Sequence, residues 1–158
     1  MKKELSIILP VFNEKDSLPI MVRLLNSTIK FKKEIIIVYD DQNDNSVEVA
    51  KELSAESPDI ILAHNTIGKG AQYAVEMGVR ISKYENILIT AVVEIFPIIS
   101  VENMLDKLIK ENLDLVSGTR YSKGGVRLGG SLVGAVLSKI ANKSFYFLTN
   151  IPLSDCTT

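Results

Sequence analysis

Short apolar runs alternate along the chain with segments whose apolar residues return every three or four positions. The runs are 5–10 (LSIILP), 34–40 (EIIIVYD), 59–65 (DIILAHN), 86–92 (NILITAV) and 113–120 (LDLVSGTR). Between them lie 17–29, 46–56, 70–83 and 100–112, and a longer, mostly apolar segment follows at 131–149. The first pattern predicts five strands and the second five helices. Ser17, Ser46 and Ser100 stand where helix caps belong, and Pro19 falls in a first turn. The apolar runs are continuous rather than alternating, as in strands covered on both faces. Strand and helix in regular succession imply crossovers and a mainly parallel sheet. The expected fold class is α/β, a Rossmann-like sheet with helices on both faces, as a single domain over 1–158. No internal repeat or low-complexity linker divides it.

Ligands of such sheets bind beyond the carboxyl ends of the strands. That rule directs attention to 10–14, 39–44, 65–70, 91–97 and 118–125. In PVFNE (10–14), Pro10 lacks a donor and is expected to stop strand pairing. Phe12 offers a flat face for a base or a ring for the core, and Glu14 offers an acceptor. YDDQNDNS (39–46) holds three acids, three amides and a serine. Asp44 and Ser46 suit an Asx-rich turn and helix cap, whereas Asp40, at the strand end, suits hydrogen bonds to a ligand or a cation. NTIGKGAQ (65–72) sets Lys69 between glycines before a helix, an arrangement that attracts phosphate and equally makes a turn. It has neither P-loop nor dinucleotide-fingerprint spacing. SGTRYSKGGVRLGGS (117–131) places Arg120, Lys123 and Arg127 among glycines. Guanidinium groups there suit a diphosphate or a phosphorylated acceptor, and a solvated basic loop would look the same.

Composition narrows the classes. Of 158 residues, 46% are hydrophobic and 23% charged, which makes a chain with a core and not a disordered one. A net charge of −1 gives no argument for a nucleic-acid partner. The one cysteine, Cys156, has no intramolecular partner, which fits a reducing, cytoplasmic setting. His64 has no second His or Cys at ligand spacing, so zinc is not expected. MKKELSIILPVFNE has a signal peptide's charge and apolarity, but its apolar core is short and no cleavage site follows, so it reads as a strand. The most apolar stretch, 128–148, is broken by Lys139, Asn142 and Lys143. It suits lying on a membrane better than crossing one.

Six segments in order, SIILPVFNE, EIIIVYDDQNDNS, NTIGKGAQYAVEMGV, NILITAVVE, DLVSGTRYSKGG and SDCTT, resemble the family 2 glycosyltransferases of the dolichyl-phosphate mannosyltransferase-like type. The resemblance covers essentially the whole chain. It implies the GT-A fold, a nucleotide-diphosphate-sugar donor, and inverting transfer to a polyprenyl phosphate or glycan. Carried over by position, it makes Pro10, Phe12, Glu14, Asp40 and Arg120 nucleotide-binding, and Lys69 joins them as the phosphate-attracting lysine of the 65–72 loop. Arg120 approaches the diphosphate, and Arg127 and Ser131 approach the acceptor phosphate. Phe12 stands for the family's frequent tyrosine, and Tyr39 replaces the first acid of an Asp-Asp pair.

Two departures follow from the same alignment. The family's Asp-X-Asp, which holds Mg²⁺ or Mn²⁺ against the diphosphate, falls on Ala91 and Val93. Glu94, one residue away, is the nearby carboxylate that would serve as metal ligand and catalytic group. A metal held elsewhere, metal-free binding aided by Lys69 and Arg120, and a catalytically weak protein stay open beside it. The domain also reads as shortened at its C-terminus, since Gly-Phe-Arg and further elements normally follow SDCTT. The expected function is therefore a glycosyltransferase, with a non-catalytic nucleotide-sugar-binding or scaffolding subunit as the alternative. A nucleotidyltransferase would need a glycine-rich basic signature after the first strand, which PVFNEKDS lacks. The apolar surface of 131–149 is expected to meet another protomer or a membrane, at the cytoplasmic membrane face.

Overall fold

The first strand, β1 (Glu4–Val11), is the one about which the other strands are arranged. Its odd-numbered residues Leu5, Ile7, Leu9 and Val11 enter one apolar layer and Ile8 enters another, so both of its faces are buried. The computed structural model describes residues 2–121, 131–151, 153 and 155. They fall into two compact units, Met1–Asn112 and Leu113–Thr158.

In the first unit, β1 pairs in parallel with β2 (Lys32–Tyr39), from Glu4–Lys32 through Val11–Tyr39. β2 pairs in parallel with β3 (Ile60–His64), and β4 (Ile87–Ile89) pairs in parallel with the other side of β1. The order is β3-β2-β1-β4. Two helices, α1 (Leu18–Thr28) and α2 (Ser46–Glu56), bring Leu18, Met21, Leu25, Ala50 and Leu53 onto the layer that holds Ile7, Leu9, Ile35 and Ile37. A third, α3 (Ala71–Ile81), brings Ala74 and Met77 onto Ile8, Ile36 and Val38 on the opposite face. The sheet is thus parallel and covered by helices on both sides, as the continuous apolar runs predict. α3 lies close enough to β1 that a Cβ on Gly78 would sit 2.5 Å from Ile8 Cγ2. A 3-10 turn (Phe96–Ser100) leads into α4 (Val101–Lys110), and Ile98 and Val101 close the α1 side of the core.

The opposite end of the sheet is tied by buried polar groups. Ser6 Oγ donates to Glu34 Oε1 at 2.5 Å and accepts the Tyr84 N–H at 3.0 Å. Glu34 also accepts the Lys83 N–H at 2.6 Å. β1, β2 and the turn before β4 are thereby locked together where the strands begin.

The second unit is built on α5 (Leu132–Thr149). Ser131 caps it, its Oγ accepting the Gly134 N–H at 3.0 Å. It ends at Asn150, whose left-handed backbone (φ 55°) suits asparagine.

Four expectations need correction. Residues 113–120 form no strand. That run contains Asp114, Ser117 and Gly118, and Leu115 is 61% exposed, so it has neither a ladder nor a buried face. β4 is three residues long rather than seven, because the chain turns after Thr90 through Glu94 N–H to Ala91 O and Ile95 N–H to Val93 O. Ser46 is the first residue of α2, and Asn45 occupies the cap position. Pro10 stops pairing on one side only. Even-numbered residues of β1 address β4, as Ser6 N–H to Asn86 O and Thr90 N–H to Ile8 O show. Pro10 would be the next donor on that side, and there the ladder ends at Ile8–Ile89, while pairing with β2 runs on to Val11.

Candidate functional site

Strand order reverses between β1 and β4. From β1 the chain moves outward through β2 to β3, and then returns by way of α3 to the other side of β1. Such a switch point leaves a crevice at the carboxyl ends, where the loops after adjacent strands run to opposite faces. The missing donor at Pro10 leaves the β1–β4 ladder unextended at that end.

The loop after β1 is held rigidly. Asn13 has a left-handed backbone (φ 60°), and its N–H points at the Asp44 carboxylate, 2.9 and 3.1 Å from the two oxygens. The next two N–H groups are also taken, Glu14 by Ser46 Oγ at 2.7 Å and Lys15 by Asn45 Oδ1 at 3.2 Å. Three successive donors of the first loop are satisfied by three successive side chains of the second. Above this clamp Phe12 is 74% exposed, which decides against the core reading of its ring. Asp44 is buried and accepts the Ser46 N–H at 2.7 Å as well. Burial works to raise its pKa, but the bonds from Ser46 and Asn13 prevail and hold it below the ordinary 3.8.

Asp40, at the end of β2, is bound by its neighbours. Its Oδ1 accepts from Asn65 Nδ2 at 2.7 Å and its Oδ2 from the Gly70 N–H at 2.6 Å. Buried Asn65 reaches on to Gly68 O at 2.6 Å and takes the Ile67 N–H at 3.0 Å. Asp40 therefore shapes the 65–70 loop that presents Lys69 at the surface. Gly70 sits at φ 107°, where other residues are strained. A carboxylate has about four acceptor positions, so Asp40 keeps capacity for a ligand. Beside it, Tyr39 stacks on His64 with ring centroids 5.0 Å apart.

Across the switch point, Glu94 folds back on the end of β4. Its Oε2 accepts from Thr90 Oγ1 at 3.3 Å and from the Ala91 N–H at 3.4 Å. Ala91 is exposed and Val93 is 63% exposed, and neither has an oxygen to offer. Among the described residues no group of three or more His, Cys, Asp or Glu side chains could hold a metal ion. A cation set against a diphosphate is held by one or two carboxylates together with the phosphate oxygens, and among the described residues this strand end offers the single Glu94 carboxylate, bonded to Thr90 and Ala91.

In the second unit Arg120 is gripped by Asp155. Nε to Oδ2 and Nη2 to Oδ1 are both 2.7 Å, and the Arg120 N–H adds a bond of 3.1 Å. The Asp155 side chain is fully buried and also faces Asn142 Nδ2 at 3.4 Å. The Arg120 guanidinium lies 5.5 Å from the Tyr121 ring centroid, and the Tyr121 hydroxyl bonds Ser138 Oγ at 2.8 Å. Ser131 is the helix cap already described, and Arg127 lies outside the described residues.

Pro10, Phe12, Glu14, Asp40, Lys69 and Glu94 thus lie on strand ends or loops at one edge of one sheet. Arg120 and Ser131 belong to the second unit. Sequence reasoning did not single out Asn65, which organises the Lys69 loop, or Asp155, which holds Arg120. The signal for Asp155 was its place in SDCTT, and Asn65 carried none beyond ending an apolar run.

Comparison with known proteins agrees with the order of motifs. A model described as glycosyl transferase family 2 matches residues 6–158. Dolichol-phosphate mannosyltransferase of Pyrococcus furiosus is 29% identical over 123 residues, 77% of this chain and 34% of that protein. Polyprenol monophosphomannose synthase of Mycolicibacterium smegmatis is 27% identical over 154 residues, 96% of this chain and 58% of the relative. Undecaprenyl-phosphate 4-deoxy-4-formamido-L-arabinose transferase of Pectobacterium atrosepticum is 36% identical over 85 residues, 46% of this chain and 26% of the relative. The chain therefore spans less than two thirds of the length of each of these relatives.

Proposed function

This chain belongs to glycosyl transferase family 2, and from that membership we propose that it binds a nucleotide-diphosphate sugar at the β1–β4 switch point. It then passes the sugar, with inversion, to a polyprenyl phosphate or a glycan. The observation that supports this reading most is the exposed Phe12 ring on a loop whose three successive N–H groups are held by Asp44, Ser46 and Asn45. A fixed aromatic face suits a stacked base, and Glu14 and Asp40 supply acceptors for base and ribose donors. Relatives whose names specify dolichol phosphate, polyprenol and undecaprenyl phosphate support the lipid-phosphate acceptor.

In this reading an acceptor oxygen attacks the anomeric carbon from the face opposite the diphosphate. The bond to the diphosphate oxygen breaks, and the diphosphate leaves with the electron pair. A phosphate acceptor is already anionic at neutral pH and needs no strong base, so alignment and charge stabilisation carry the reaction. By position in the family pattern, Arg120 is assigned to the diphosphate and Arg127 and Ser131 to the acceptor, while Lys69 is the phosphate candidate of the first unit. Asp155 fixes the plane of the Arg120 guanidinium.

Ala91 and Val93 favour a second reading, a nucleotide-sugar-binding subunit without turnover. Calorimetric titration with UDP- and GDP-sugars, with and without Mn²⁺ and paired with a turnover assay on lipid phosphate, separates the two. One donor is expected to bind, with affinity lowered about tenfold or more in Phe12→Ala, the loss of one base stack. Mn²⁺ is expected to change wild-type affinity little, and to raise it strongly once Ala91→Asp and Val93→Asp restore two carboxylates. Binding without turnover selects the second reading, and binding of no nucleotide sugar overturns both.

A further inference from the structure

An acceptor and a cation stand side by side at the end of β2 without pairing. Asp40 Oδ2 accepts the N–H of Gly70, the residue after Lys69, at 2.6 Å. A flexible lysine stem anchored that close could swing onto the carboxylate. The Lys69 ammonium nevertheless pairs with no carboxylate among the described residues. Asp40 is occupied instead, Oδ1 by Asn65 Nδ2 at 2.7 Å and Oδ2 by Gly70. Asn65 is 5% exposed, and both its amide hydrogens and its amide oxygen are engaged, on Asp40, Gly68 O and the Ile67 N–H. Its own N–H goes to Tyr39 O at 2.8 Å. The loop is braced from the helix side as well, since a Cβ on Gly68 would lie 2.8 Å from the Tyr73 ring. Lys69, exposed, thus stands on a fixed stretch of chain.

We propose that Asn65 is a positioning residue that keeps Asp40 and Lys69 from neutralising one another, so that one ligand meets an acceptor and a cation together. A nucleoside diphosphate fits that pair, its N–H and hydroxyl donors suiting Asp40 and its phosphates suiting Lys69. The inference deepens the nucleotide-sugar reading and rests on it. Asn65 acts through these two side chains and has no amide hydrogen left for the ligand. Without its amide, Asp40 Oδ1 is free to accept the Lys69 ammonium, and both charges are lost to the ligand at once.

Calorimetry with UDP and GDP, and chemical-shift titration with uridine and guanosine, test it on wild type, Lys69→Ala, Asn65→Ala and the double variant. Lys69→Ala is expected to lower diphosphate affinity about tenfold and to leave nucleoside affinity within about twofold. Asn65→Ala is expected to lower diphosphate affinity at least as much, and nucleoside affinity too, because Asp40 is captured. Adding Lys69→Ala to Asn65→Ala is then expected to cost no further diphosphate affinity and to give back part of the nucleoside affinity, because the captor is gone. A purely structural role would lower the thermal midpoint and let the two losses multiply, to about a hundredfold, and that result overturns the proposal. So does an unchanged diphosphate affinity in Lys69→Ala, a substitution at an exposed position. Should Asn65→Ala not fold, Asn65→Asp, which keeps the shape and the Ile67 bond but cannot donate to Asp40, carries the same cycle. Binding of neither diphosphate to wild type overturns this inference together with the reading it rests on, whereas multiplying losses in a protein that binds overturn the inference alone.

Discussion

Asp44 shows how one side chain holds a functional loop in place. It accepts from Asn13 and Ser46 while nearly buried, and it lies at the centre of the clamp beneath Phe12. Because its folded pKa lies below the unfolded value, the unfolded chain binds the proton more readily. Its contribution is full above the unfolded pKa and is lost as pH falls through the folded one. Urea unfolding at about pH 6 and about pH 3 should show that loss, and Asp44→Asn should flatten it. At neutral pH, Asp44→Ala should cost about 1.5–3 kcal/mol, the worth of hydrogen bonds to a charged acceptor. Equal stability of wild type and Asp44→Ala at neutral pH would sink the assignment. The sequence already read Asp44 and Ser46 as turn and cap residues, though it did not reveal that their bonds reach across to the first loop. Asp40 read from sequence as a ligand acceptor, and its bonds to Asn65 and Gly70 came to light only in three dimensions. Contacts between residues tens of positions apart leave no local period to detect.

At the scale of elements, helices and buried strands were legible because each carries its period within ten residues or so. α2 begins and ends where its apolar spacing placed it. The misread run at 113–120 is instructive, since an apolar stretch becomes a strand only where a neighbour offers a ladder. The approach of α3 to β1 was hidden in the same way. Gly78 is unremarkable in sequence, but its missing Cβ is what allows the helix to lie against Ile8. Gly78→Ala would gain up to about 1 kcal/mol of helix propensity and lose about 1–3 kcal/mol to overpacking on a buried β-branched neighbour. A net fall in thermal midpoint is expected, and pairing with Ile8→Val should recover part of it. A midpoint that rises in Gly78→Ala would show that α3 has room to spare.

Across the first unit, the strands differ sharply in how they are secured. β1 and β2 share eight paired positions, whereas β4 meets β1 at three. Native-state hydrogen exchange should therefore release the Thr90 amide, bonded to Ile8 O at 3.3 Å, well before the amides of Leu9 and Ile37. Exchange of all three at one common rate would show that β4 opens only with the whole sheet. The difference also has a history in time. β1 finds β2 across a single helix, but it finds β4 only after β2, α2, β3 and α3 have formed or been spanned, a far more distant closure. Closure distance therefore predicts that the Phe12 side of this end is ordered before the Thr90–Glu94 turn. Pulse-labelled hydrogen exchange during refolding should protect Leu9 and Ile37 ahead of Thr90, and simultaneous protection of all three would overturn that order.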